Sequence, residues 1–315
     1  QDRPAMIKAL FAASDADWRT YKAALIIAFD KAGLTVDLAR NHAPEDVSYI
    51  VYAPSGPLQD FSPYVNCKAV LSLWAGVERI VGNQSLTQPL ARMVDPSMAQ
   101  GMMEYVVAQV LRHHLGMDRY LRGQDGVWQQ GEMPPVAQDS PITMLGLGEL
   151  GRAAGLALSS LGFPVRGWSR TKREAAGIDC YHGDGGLIAA LSGTRGIVLL
   201  LPATAETENI LNAKTLALPA KDAFIVNPGR GTLIDDQALL AAIEAGQIGG
   251  ATLDVFRAEP LPKDHPYWSN PRVTVTPHIA AFTRPSSACD VIAENIRRSE
   301  AGEPLLYLVD RKRGY

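Results

Sequence analysis

An α/β protein with two parallel-sheet domains, the first of them discontinuous, is what these 315 residues predict. Three observations carry that reading. Short apolar runs alternate with helical periodicity along most of the chain. The alternation pauses between about 98 and 140 and starts afresh at Pro141. A last helix follows the second block and has its natural place back on the first, so two long helices would cross between the domains. The length also exceeds one ordinary domain.

Taken in order, Ile7–Ala12 is apolar except for Lys8 and reads as a first strand. Asp15–Lys31 places Trp18, Tyr21, Ala24, Leu25 and Ala28 at helical spacing, and Gly33 ends the helix. Residues 34–38, 49–53 and 69–73 read as further strands, and their near-continuous apolar character implies a sheet covered on both faces. Asp95 and Ser97 offer caps to one long helix over 98–121. Residues 122–140 are rich in Gly, Gln and Pro and lack periodicity. Long loops in compact enzymes tend to have a job, and this one reads as an arm reaching a second subunit. The second block offers strands at 142–145, 165–168, 196–201, 223–227 and 251–255, with helices at 149–161 and 235–245 among those between them. The final helix, about 284–301, closes the first domain. The expected domains are therefore 1–97 with 284–315, and 98–283.

Composition narrows the function. Apolar residues are 47%, charged residues 20% and net charge is -3, so nothing recruits nucleic acid or an anionic membrane. No apolar run approaches the ~20 residues of a membrane span. Cys67, Cys180 and Cys289 are odd in number and far apart. They predict neither a disulfide framework nor a metal site, and with no secretory signal pattern they point to the cytoplasm.

Gly146-Leu147-Gly148-Glu149-Leu150-Gly151 follows an apolar strand and opens an Ala- and Leu-rich helix. In that setting it reads as a dinucleotide loop rather than a glycine-rich turn. Gly146 permits the turn, Gly148 the approach of a pyrophosphate and Gly151 close packing of helix on strand. The helix start offers free N–H groups to phosphate. The next strand ends in Trp168-Ser169-Arg170-Thr171-Lys172-Arg173. No acid stands there for a ribose hydroxyl, while a hydroxyl and several cations suit a 2′-phosphate. The expected cofactor is NADP(H), with NAD(H) possible; a solvated basic turn is the bland alternative.

Hydride transfer to a 2-oxo acid needs a clamp for the carboxylate, a polariser for the carbonyl and a proton donor. Arg230, between Gly229 and Gly231 just past a strand end, offers a planar fork of donors for the first two. His278, after Pro277, is the candidate proton donor, because histidine titrates near neutrality. Glu259 would orient His278 and favour its charged form. Asp254 could accept a hydrogen bond from a nicotinamide carboxamide. Ser72 to Val77 ends a strand and opens a helix, and the N–H groups of Ala75, Gly76 and Val77 could form an anion nest there. The pair His113-His114 faces two sides of a helix and makes no metal clip.

Together these motifs resemble the D-2-hydroxyacid dehydrogenase family. The resemblance runs nearly end to end and is narrowed by several stretches: Gly167-Trp168-Ser169-Arg170, Leu200-Leu201-Pro202-Ala203-Thr204, Leu253-Asp254-Val255-Phe256 with Glu259-Pro260-Leu261-Pro262, Pro277-His278-Ile279-Ala280-Ala281 with Thr283-Arg284-Pro285, and Val309-Asp310-Arg311 followed by Arg313-Gly314-Tyr315. It implies two Rossmann-like, flavodoxin-like domains with an active-site cleft between them, a substrate domain and a dinucleotide domain that builds a homodimer. It implies NADPH-dependent reduction of glyoxylate to glycolate and of hydroxypyruvate to D-glycerate. Carried over by motif, Arg230 is the substrate arginine, Glu259 and His278 are the proton relay, and Ala75-Gly76 is the carboxylate cradle. Trp128 in the arm falls where some members send a tryptophan into the partner's active site, and Arg284 borders the substrate. Glu149, Leu150, Leu201 and Pro202 join the glycine loop as cofactor positions. Formate dehydrogenases of the family place a glutamine where Glu259 stands, so the acid argues against formate. Two alternatives stay open: the same chemistry on a bulkier 2-oxo acid such as phenylpyruvate, and a corepressor-like protein that senses the nucleotide.

Overall fold

The computed structural model describes residues 6–128 and 130–311; the closing Arg313-Gly314-Tyr315 stretch lies outside them. The chain divides into two compact units, Gln1–Met98 with Thr283–Tyr315, and Ala99–Phe282.

The first unit opens with β1 (Ile7–Ala12) and α1 (Asp15–Lys31). Ser14 caps α1 through a reciprocal pair of bonds with Asp17: the Asp17 N–H donates to Ser14 Oγ at 3.1 Å, and the Ser14 N–H donates to the Asp17 carboxylate at 3.3 Å. Such a cap is worth about 1 kcal/mol. β2 (Val36–Ala39), β3 (Tyr49–Tyr52), β4 (Ala69–Ser72) and the two-residue β5 (Leu90–Ala91) complete a parallel sheet in the order β2-β1-β3-β4-β5. β2 starts two residues later than expected. The Leu34 N–H donates to Phe29 O at 2.9 Å and the Gly33 N–H to Asp30 O at 2.9 Å, so Leu34 belongs to the turn that ends α1.

α2 (Pro96–His114) begins where the buried Asp95 accepts from the Ser97 N–H at 3.0 Å. The helix expected over 98–121 is two helices. Gly116 turns left-handed at φ +62, and α3 (Met117–Arg122) follows it. Arg112 clasps Asp118 across the break at 2.5 Å.

The second unit contains β6 (Ile142–Leu145), α4 (Glu149–Ser160), β7 (Val165–Ser169), β8 (Asp179–His182), α5 (Gly183–Leu191), β9 (Gly196–Leu199), β10 (Ala223–Asn227), α6 (Asp236–Glu244), β11 (Ile248–Leu253) and β12 (Val273–Val275). Its parallel sheet runs β12-β11-β10-β9-β6-β7-β8. Consecutive strands travel one way from β6 and the other way from β9, which puts the switch point between β6 and β9. β10 shows why the strands are continuously apolar: Ala223 and Ile225 enter one core, while Phe224 and Val226 enter the core on the opposite face. Losing a side chain such as Ile225 would cost about 2–5 kcal/mol. β8 escaped the sequence reading because it is a polar, half-exposed edge. β11 begins three residues early because Gly249 and Gly250 break its apolar pattern.

α7 (Pro285–Glu300) returns to the first unit. There Ala288, Cys289, Ile292, Ala293 and Ile296 share a core with Tyr21, Leu25 and Phe29 of α1. The Arg284 N–H, just before α7, donates to Asp95 Oδ2 at 3.2 Å. One buried carboxylate thus joins the starts of both long helices. No helix among the described residues is long and apolar enough to cross a membrane.

Candidate active site

In the second unit Asn227 pairs in register with Leu253, and Leu253 with Val275. The segments that follow these three strands carry Arg230, Glu259 and His278, and they leave the sheet side by side at its carboxyl edge, where open α/β sheets hold ligands.

His278 is held in a left-handed conformation, φ +54, unusual for a residue with a Cβ. Its N–H donates to Asp254 O at 2.9 Å. The fully buried Asp254 carboxylate then fixes the turn. Oδ1 accepts from Thr276 Oγ1 at 2.6 Å and from the Ile279 N–H at 2.9 Å, and Oδ2 accepts from the Ala280 N–H at 2.9 Å. Asp254 therefore holds the histidine loop through both of its carboxylate oxygens. Tyr105 of α2 adds a bond to Thr276 at 2.7 Å.

The His278 ring stands 55% exposed, with Nδ1 2.8 Å from Glu259 Oε2. Glu259 is itself pinned, since Oε1 accepts the Phe256 N–H at 2.9 Å. With Nδ1 committed to the acid, Nε2 is the atom left to exchange a proton with a ligand.

Arg230 takes an extended backbone just past β10. The buried Asn227 shapes its turn by donating from Nδ2 to Arg230 O at 2.9 Å and accepting the Gly229 N–H at 3.1 Å. Arg230 Nη1 donates to Gly229 O at 2.7 Å. Gly231 lies so close to the next loop that a Cβ would come within 2.0 Å of the Phe256 carbonyl carbon. Arg257 seals the two loops together: its Nη2 donates to Ile234 O at 2.9 Å, and it pairs with Glu208 at 3.3 Å. Sequence reasoning missed Asn227 and Arg257, although they stand three residues before Arg230 and two before Glu259.

The glycine loop follows β6. Gly146 sits at φ +112, with Leu200 O only 2.6 Å from where a Cβ would stand, so only glycine makes this turn. Gly151 packs on Gly146 O in the same way, while a Cβ on Gly148 would meet open space. Gly148 is the N-cap of α4 and makes no side-chain capping bond, which leaves the first N–H groups of the helix to a ligand. Beside it is a cavity of about 210 Å³ between Gly148, Glu149 and Arg152 on one side and Arg173, Glu174 and Ala175 on the other. Arg152 is a cation the sequence reading had not marked. Glu149 and Leu150 begin α4. Leu201 and Pro202 follow β9, in a turn where Thr207 Oγ1 donates to Pro202 O at 2.7 Å and accepts the Thr204 N–H at 2.9 Å.

The family model for the NAD binding domain of D-isomer specific 2-hydroxyacid dehydrogenases matches residues 105–280. The chain is 42% identical over 274 residues to a glyoxylate/hydroxypyruvate reductase A of Yersinia enterocolitica, covering 84% of this chain and 87% of that protein. The chain belongs to the D-isomer specific 2-hydroxyacid dehydrogenases. Among solved structures it resembles a member from Xanthobacter autotrophicus Py2 in complex with NADPH and MES, at TM-score 0.91, 40% identity and coverage of 98% and 99%. It also resembles an NADPH-dependent glyoxylate/hydroxypyruvate reductase from Sinorhizobium meliloti in complex with NADP and sulfate, at TM-score 0.86, 32% identity and the same coverage.

The remaining expected positions of this 2-hydroxyacid dehydrogenase fall as follows. Ser169 is buried, and its hydroxyl donates to Thr171 O at 2.8 Å. Arg170 pairs with Glu206, and the exposed Lys172 with Glu174 at 3.5 Å. Trp128 is 93% exposed in the arm. In the first unit Arg284 is exposed at the start of α7. Residues 75–77 do not open a helix: a single turn closes on Val77 O, with Ile80 donating at 3.0 Å, and Gly82 and Asn83 then break it. The N–H groups of Ala75, Gly76 and Val77 donate to no acceptor among the described residues, as an anion nest requires.

Proposed function

We propose that this protein reduces glyoxylate and hydroxypyruvate, with NADPH supplying the hydride, to glycolate and D-glycerate. The observation that carries the reading is the His278–Glu259 pair at 2.8 Å, set beside Arg230 at the carboxyl edge of neighbouring strands. The reductase relatives support the substrate class, and the two NADP(H) complexes support the cofactor. The open side of Gly148, the uncapped start of α4 and the adjacent cations fit a dinucleotide's phosphates.

In this reading Arg230 binds the carboxylate and polarises the carbonyl of the 2-oxo acid. Ala75, Gly76 and Val77 of the first unit give N–H groups to the same carboxylate. His278 Nε2 donates the proton as the alkoxide forms, and Glu259 steadies the imidazolium. Asp254, Asn227 and Arg257 set the backbone from which these groups project. Arg284 borders the substrate.

The working form is a homodimer in the cytoplasm. Leu121, Val127, Trp128, Met133 and Val136, in and beside the arm, are each more than half exposed, and so large an apolar stretch suits burial by a second copy. Trp128 would enter the partner's site. The three cysteines are free, which suits a reducing compartment.

The test is loss of NADPH absorbance with glyoxylate, hydroxypyruvate and phenylpyruvate, each repeated with NADH. The small acids should be turned over with NADPH. Faster turnover of phenylpyruvate would reassign the substrate, and no oxidation with any acid would remove the enzymatic reading. Sedimentation of the wild type and Trp128→Ala tests the dimer; a monomeric wild type would discard it.

A further inference from the structure

No acid stands at the end of β7 itself, yet the fold delivers one to Arg170 from elsewhere. Glu206, in the turn that follows β9, forms an ion pair with Arg170. The two side chains are 63% and 45% exposed, so a ligand from solvent can reach both. In the order β9-β6-β7 the glycine loop leaves the strand between them. The pair therefore joins the two loops that flank the carboxyl end of β6, beside the switch point where such sheets take a dinucleotide.

We infer that Glu206 sets how strongly this protein prefers NADP(H) over NAD(H), an inference that rests on the NADP(H) reading above. Two effects act in the same direction. A phosphate monoester carries nearly two negative charges at neutral pH. To meet Arg170 it must displace Glu206, and it then lies near a carboxylate of like charge. NAD(H) instead brings free ribose hydroxyls to this place. Glu206 can accept from them, which is the task of an acid at the end of the second strand in NAD-binding loops. Glu206 thus opposes the 2′-phosphate and supports the unmodified ribose. Of the other two cations in this loop, Lys172 is paired with Glu174 and Arg173 donates to Leu147 O at 3.4 Å; Glu206 contacts Arg170, so Arg170 is the group through which it acts on the phosphate.

The experiment is fluorescence titration of the full-length protein with NADPH and with NADH, for the wild type, Glu206→Gln and Glu206→Ala, at low and high salt. Glu206→Gln keeps the side chain's shape and removes its charge. Both variants should raise the ratio of NADH to NADPH dissociation constants roughly five-fold, as expected for one exposed charge pair. Tighter NADPH binding should account for most of that rise, and high salt should shrink it. A ratio that stays put, or moves toward NADH, in a protein that binds NADPH overturns the inference alone. A wild-type protein that binds neither cofactor removes the NADP(H) reading and this inference together.

Discussion

His113 and His278 belong to the same unit and are used in opposite ways. His113 on α2 lies flat against Phe224, ring centroids 5.0 Å apart at 8°, with Nε2 2.9 Å from Thr252 Oγ1. Burial pushes its pKa down to about 4, so it stays neutral at working pH. His278 is half exposed, backed by a carboxylate and left with one ring nitrogen for solvent or ligand. A histidine becomes a proton donor through an acid behind it and access in front. Without those it is a flat, polar-edged piece of core.

The largest effect should come from removing the working ring. His278→Ala is expected to lower kcat by about 100- to 10,000-fold, the usual worth of a positioned acid. His113→Gln should leave kcat within about two-fold, since it touches no reacting group. Steady-state kinetics on both variants check this, and equal losses would erase the distinction between the two histidines. Glu259→Gln should cost less, about 100-fold in kcat, because the amide still reaches Nδ1 but no longer stabilises an imidazolium.

A smaller loss should follow from Arg257→Met. That side chain touches no ligand in the proposed mechanism, but it ties the Arg230 loop to the Glu259 loop. Small misplacements of positioned groups are costly, so kcat/KM should fall by roughly ten-fold. Both KM, through Arg230, and kcat, through the relay, should move. Arg257→Lys should not restore the wild-type values, because an ammonium cannot reproduce the planar fork. A change confined to thermal stability would show that Arg257 is only a packing residue.

How much of this was written in the chain depends on the range of each interaction. Most strands of both sheets were legible because a parallel sheet buried on both faces leaves a continuous apolar run, as in Ala223–Asn227; the short or polar β5, β8 and β12 leave no such run. The relay was legible because Glu259 and His278 sit in short motifs whose chemistry is local to each. What sequence could not supply was pairing across loops. Asp254 read only as a ligand acceptor, and its carboxylate also accepts from Thr276, Ile279 and Ala280, more than twenty residues away. Arg170 looked like a phosphate ligand alone, and the acid it pairs with comes from beyond β9. The single helix expected over 98–121 failed for a local reason. Its apolar periodicity runs on past Gly116, but the backbone there turns left-handed.

The smallest effect concerns stability rather than turnover, and it belongs to His113. Desolvation lowers its folded pKa to about 4, with Asp118 opposing and Arg112 and Arg122 reinforcing the shift. An unfolded histidine titrates near 6.5. Between those two values the unfolded chain binds a proton that the native protein refuses, so stability falls as pH drops through this window. From pH 7 to pH 5 this one group should cost about 2 kcal/mol. Urea denaturation of the wild type and His113→Gln at both pH values isolates it, because the other titrating groups are common to the two proteins. The variant should be weaker at pH 7, having lost the stacking on Phe224, yet it should lose about 2 kcal/mol less on acidification. Parallel losses in the two proteins would mean that native His113 takes up its proton as readily as the unfolded chain does, and its contrast with His278 would fail.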